Sequence, residues 1–236
     1  MAMPQAARLA ASALGAIAAC GALLLGAGPA MAAGGLTGRS AIQVVQSSLR
    51  ASSGASSVTM DGHFNRGGQI TGFHVSVTSG NGVGTLTLNG NSEQLIKIGK
   101  SIYLKGDRAF WIKNGGTAAA ELAAGRWVKV PGDAFQSFFN THELLSQLGP
   151  DVSRSTFVRA GVAVVGGVAA VVVAGHEKAN PSNGGRLYVA ARGPPYILKI
   201  AASSNGTVGS IIFSNYNKPV HVTRPAHYLD LSSTTG

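Results

Sequence analysis

Cysteine is almost absent: Cys20 is the single one in 236 residues. A disulfide framework is therefore excluded, and so is a thiolate metal site. The fold must be held by its own apolar core, and the residues after the leader described below are enough to bury one. Acidic residues are also few, nine against nineteen Lys and Arg, for a net charge of +10. No two acids fall within four positions of each other, so no local carboxylate pair suited to general acid–base catalysis stands out. The six histidines (His63, His74, His142, His176, His221 and His227) show no ligand-pair spacing. His63 and His74 could meet only across neighbouring strands. Motif searches end in near misses. Gly99-Lys100-Ser101 is the end of a phosphate loop, but Gln94 stands where its first Gly belongs. His142-Glu143 opens a zincin-like motif that Ser146 does not complete, and no Gly-x-Ser-x-Gly elbow occurs. The basic residues lie singly, with no aromatic-interleaved run, so a nucleic-acid partner is not expected. An enzyme, a metal site and a cofactor are not expected either. The basic excess predicts attraction to an anionic membrane surface.

What is present begins with a leader. Met1 to Arg8 carries one positive charge, Leu9 to Pro29 is uncharged and rich in Ala and Leu, and Ala30-Met31-Ala32 is a small-x-small site. Residues 1–32 read as a secretory signal peptide, and 33–236 as one domain. Ile17-Ala18-Ala19-Cys20 resembles a lipobox, which would make Cys20 a lipidation site, although the following residues stay apolar. An uncleaved anchor is a third option, since Leu9 to Ala30 approaches the ~20 residues of a membrane span. In each case the domain lies outside the cytoplasm, either secreted or anchored to the outer face of the cell membrane.

The domain itself is strand-rich. Ser40 caps a helix with an expected apolar stripe of Ile42, Val45 and Leu49. Five strands follow between Val58 and Lys105, with polar turns such as Asn65-Arg66-Gly67-Gly68, so neighbours pair antiparallel. Asp107 to Gly149 is a helical insert, with an Ala-rich helix over 118–124, helical apolar spacing from Ala134 to Leu148, and a short strand at Trp127–Val130. Gly161 to Ala174 is almost wholly apolar around Gly166-Gly167 and reads as a buried strand pair or a bent strand. The stretch Gly185–Pro225 reads as a meander of four strands, the last at Val220–Val222, with a hairpin signal at Asn205-Gly206. It should supply one wall of an apolar cavity. The fold class expected is α+β. A large curved antiparallel sheet of about 10–11 strands forms a half-barrel, and short helices cover its concave face.

Family likeness adds to this reading. Leu95-Ile96-Lys97-Ile98-Gly99-Lys100-Ser101-Ile102-Tyr103-Leu104-Lys105-Gly106, followed by Phe110-Trp111, resembles the central motif of actinobacterial LppX/LprG-type lipoproteins. Gly125-Arg126-Trp127-Val128-Lys129-Val130-Pro131 is similar to their "GkWvkvp" segment. Leu187-Tyr188-Val189, Gly193-Pro194-Pro195-Tyr196 and Phe213-Ser214-Asn215-Tyr216 are similar to their C-terminal strands. The resemblance covers roughly residues 40 to 228. It implies a LolA/LolB-like half-barrel holding acyl chains of a lipid or lipoprotein. On that reading the chain is a monomeric lipid carrier of the cell envelope. The ligand would lie between the sheet residues Phe73, Val75, Val77, Leu86, Leu88, Ile96 and Ile98 and the cover residues Phe110, Trp111, Leu122, Phe135, Phe138, Phe139, Leu144 and Leu148. Which strand face points inward is left open. The alternative is an envelope sensory or protein-interaction module of the same fold, with a partner envelope protein in place of a lipid.

Overall fold

The computed structural model describes residues 35, 36, 38–88, 90–130, 139, 154–204 and 206–230. Helix α1 spans Ala41–Ser53. Ser40 caps it in a reciprocal capping box: its side chain accepts from Gln43 N–H, and the Gln43 side chain accepts from Ser40 N–H. Two orphan amides of the first turn are thereby satisfied. The buried stripe is Ala41, Val44, Val45, Ser48 and Ser52. Ile42, expected in that stripe, is exposed. Small residues at 41, 48 and 52 let the helix axis approach the sheet, and this closeness selects the buried face.

Strands β1 (Ser57–Arg66), β2 (Gln69–Thr78), β3 (Asn81–Leu88), β4 (Asn91–Ile98) and β5 (Ser101–Lys105) form a continuous antiparallel meander. The β1–β2 turn is Gly67-Gly68, both at positive φ, as a two-residue hairpin loop demands. Helix α2 follows at Arg108–Ala123. It starts ten residues earlier than the Ala-rich run suggests, because the Asp107 side chain accepts from Phe110 N–H at 2.7 Å and caps it. Gly116, at φ 80°, breaks it midway. Strand β6 (Trp127–Val130) pairs with β5.

The second half contains β7 (Ser155–Val165), β8 (Val168–Glu177), β9 (Gly184–Ala190), β10 (Ile197–Ser204) and β11 (Thr207–Ser214). Strand β11 pairs with β1 and so joins the halves. Val220–Val222 is not a strand. Pro219 and Pro225 bracket it, and proline supplies no ladder N–H. The chain instead runs without regular structure to β12 (Leu229–Asp230), which lies parallel to β6. Among the described residues the result is one open sheet of twelve strands, in the order β12-β6-β5-β4-β3-β2-β1-β11-β10-β9-β8-β7. It is the expected curved, dominantly antiparallel sheet with helices on one face. The apolar run 161–174 forms the β7–β8 hairpin, but only β8 is buried. Among the described strands β7 pairs with β8 alone, and its side chains are half-buried or exposed.

Alternation sorts the side chains onto two faces. Met60, Phe64, Phe73, Val75, Val77, Leu86, Leu95, Ile102, Leu104, Val173, Leu187, Ile200 and Ile211 share one core on the inner face. Helix α1 packs across β7 to β10 on that face. Its Ser52 Oγ accepts from Ile197 N–H at 2.9 Å, and Tyr216 donates to the Ile197 carbonyl at 2.7 Å. Among the described residues no helix is long and apolar enough to cross a membrane.

Candidate ligand-binding site

One row across the second half of the sheet consists of small residues. The register sets Gly175 opposite Gly185, Gly185 opposite Ala202, and Ala202 opposite Gly209. Gly209 in turn stands opposite Phe64. Side chains on one row share a face, so this row is a strip of the inner face with almost no side-chain bulk. A hollow of about 200 Å³ lies on it, with Phe157, Val173, Leu187 and Ile200 among its lining residues. The Phe157 ring lies over Gly175, where a Cβ would fall 2.8 Å from it. A Cβ on Gly185 would stand 2.4 Å from the Ala201 carbonyl oxygen, so the floor cannot be raised there without moving β10. The lining is predominantly apolar, and Arg154, His176, Glu177 and Asn183 are among its polar members. Asn183 donates to Glu177 at 3.2 Å and ties down the loop beyond β8. A second depression of about 520 Å³, between Gly125–Trp127 and Ala226–Tyr228, is half polar and suits hydrocarbon poorly.

The residues expected to line a cavity divide by face. Phe73, Val75, Val77 and Leu86 are inward and buried, and half-buried Leu88 packs against them. Ile96 and Ile98 face the other way. Ile96 pairs with Val83 and Tyr103, whereas Leu95 pairs with Gly84 and Leu104 on the inner side. Their reading as inner-face residues is thus corrected; the period of two puts every second residue of β4 outside. Ile96 is covered there beside Tyr103, whose ring meets Tyr228 edge-on at 5.0 Å. Phe110 and Trp111 are buried on α2, with rings 5.2 Å apart, edge to face. Leu122, on the same helix, is 63% exposed. Phe139 is buried against β3, where a Cβ on Gly82 would come within 2.3 Å of its ring. Phe135, Phe138, Leu144, Leu148 and Cys20 lie outside the described residues.

Of the residues that line the hollow, Phe157, Val173, Gly175 and Ala202 carry no cavity role in the sequence reading. Their signal is the pairing of small residues, Gly184-Gly185 and Ala201-Ala202, inside otherwise apolar strands. The meander read from the sequence as a cavity wall does supply Gly185, Leu187, Ile200 and Ala202.

A buried polar group was also missed. Glu93 stands on the inner face of β4, opposite Leu86, and is 1% exposed. Burial first, and the nearby Asp107 second, raise its carboxyl to about 7, against weaker opposing effects of a backbone hydrogen bond and Lys113. Among the described residues its Oε2 has no hydrogen-bond partner, nor do Trp111 Nε1 and Asn114 Oδ1 on α2, the helix that contacts β4. On the outer face His74 and Asp61 form an exposed pair at 2.5 Å. His63 lies beyond them, opposite Gly72. Among the described residues no group of three or more His, Cys, Asp or Glu could hold a metal ion.

No family model matches the chain, and no curated protein does. Solved structures do match. The Mycobacterium tuberculosis lipoprotein LppX superposes with a TM-score of 0.53 at 16% identity, over 77% of this chain and 97% of that one. LprF from Mycobacterium bovis gives 0.56 at 18% identity, over 79% of this chain and 97% of its own. The fold is therefore of the LppX/LprG type. At this identity the likeness establishes the fold alone.

Proposed function

We propose that the chain is an exported lipid-binding protein that shelters an acyl chain on the inner face of its sheet and carries it within the cell envelope. The observation that supports this reading is the hollow over Gly175, Gly185 and Ala202. Its lining is predominantly apolar, includes the charged Arg154 and Glu177, and has a floor of residues too small to fill it. At ~30 Å³ for a volume the size of one water, it accepts about seven such volumes, and a methylene is of similar size. At ~0.8 kcal/mol per buried methylene that is a gross gain of roughly 5 kcal/mol, before the cost of ordering the chain. The signal segment 1–32 would direct export, and acylation of Cys20 or cleavage after Ala32 would decide whether the domain stays on the outer face of the membrane. Intact mass of the exported protein separates the two.

The test is uptake. Delipidated protein should take up a fluorescent long-chain lipid, and Ala202→Leu, whose side chain occupies the hollow, should lose that uptake while keeping its circular dichroism. Equal uptake by both proteins, or none by either, would reject the reading.

A further inference from the structure

From Ala160 to Gly175 the sequence carries no charged residue. The structure makes this run the outermost hairpin of the sheet, turning at Gly166-Gly167. Ala170 to Val173 on β8 are buried, but the apolar side chains of β7 and of the turn are half-buried or exposed. Val162 is 81% exposed and Val164 71%, both on the inner face, opposite Val171 and Ala169. Val158 and Val168 are exposed on the outer face. A hairpin tip with exposed valines on both faces, Val162 and Val164 on one and Val168 on the other, is poorly served by a partner that covers one face or one edge. Strand addition along β7 is further disfavoured by the bulge between Arg159 and Gly161, which breaks the edge as a template. A solvent that can surround the tip fits better.

The charges nearby agree. Arg192 is exposed directly after Ala191, whose N–H donates to Ala169 O at 2.9 Å, so a cation stands beside the tip of β8. Arg159 marks the base of the apolar run, where it also donates to the carbonyls of Leu36 and Arg39. Glu177 is the only acid between Ser155 and Leu229 and lies at the far end of β8. From these observations we infer that the β7–β8 hairpin is a membrane finger. Its tip enters the surface of an anionic phospholipid bilayer while the basic residues beside it meet the headgroups. At ~3.4 Å per residue the stretch from Val162 to the turn is about 14 Å long. That suits the ~5–10 Å depth of the boundary between headgroups and acyl chains. At this depth the backbone groups of β7 that no described strand pairs remain within reach of water, as they must. The inference deepens the lipid-carrier reading by naming where the chain meets the bilayer.

The test uses the full chain with Cys20 replaced by Ser and a single new cysteine, Val164→Cys, Val168→Cys or Val208→Cys, labelled with an environment-sensitive fluorophore. Val208 is exposed on β11 and serves as the control. Vesicles of phosphatidylcholine containing roughly 30% phosphatidylglycerol supply an anionic surface. Positions 164 and 168 should shift to the blue and be quenched by doxyl-labelled lipid, position 208 should do neither, and added salt should weaken the effect. Because the probe reports the hairpin alone, binding through the N-terminal segment does not mimic the result. Vesicle-bound protein with no change at 164 and 168 would overturn the inference. So would a change at all three positions, or a shift without vesicles that grows with protein concentration, which would mean that a second copy covers the hairpin. Cargo uptake is not scored, so failure here and failure of the carrier reading are separate outcomes.

Discussion

The two halves of the sheet handle the same inner face in opposite ways. From β1 to β6 it carries Met60, Phe64, Phe73, Leu86, Leu95, Ile102 and Leu104, with the Phe110, Trp111 and Phe139 rings above them. From β8 to β11 one row of that face is Gly175, Gly185, Ala202 and Gly209. Where side chains are large, they fill the curve of the sheet and become core. Where they are small, the same curvature leaves a hollow. A search guided by aromatic residues therefore leads to the packed half, whereas the space lies in the half with few of them.

This contrast can be tested by substitutions that should hurt one half and spare the other. Phe139→Ala should have the largest effect, about 3–5 kcal/mol of unfolding free energy, measured by denaturant titration. A loss below about 1 kcal/mol would mean that the first half is not packed around that ring. Glu93→Gln comes next and depends on pH. The folded state holds the Glu93 proton up to about pH 7, whereas an ordinary carboxyl releases it near 4.5. The folded protein thus binds more protons in that window, and its stability falls as pH rises from about 4.5 to about 7. At pH 8 the full penalty applies, on the order of 3 kcal/mol, and Glu93→Gln should recover much of it. At pH 4 the variant should match the parent, and a gain of the same size at both values would contradict a titrating Glu93. Ser52→Ala should cost about 1–2 kcal/mol, because it leaves the buried Ile197 N–H without its acceptor and tests the seat of α1 on the second half. Ala202→Leu should change stability least, by under about 1 kcal/mol, since the hollow has room for the added carbons. A collapse of stability there would show the second half to be as tightly filled as the first.

Several elements were legible in the residues because their causes are local. Ser40 with Gln43, the Gly67-Gly68 turn and the alternation through β1 to β5 each follow from capping, positive φ or a period of two. Misreadings arose where a neighbour decides. Val220–Val222 has strand composition but prolines on both sides and no partner strand among the described residues. The start of α2 depended on Asp107, a single capping side chain. The run 161–174 reads as buried by composition, yet β7 is exposed because the sheet ends there.

Taken alone, the amino-acid sequence determined that the domain is strand-rich, basic, free of disulfides and without a recognisable catalytic motif, since these are properties of composition and short-range spacing. Tertiary structure alone decided which face of β4 turns inward, that Glu93 is buried, and that Gly175, Gly185 and Ala202 fall on one row. Those outcomes depend on register between strands far apart in the chain, and a shift of one residue would have exchanged the two faces.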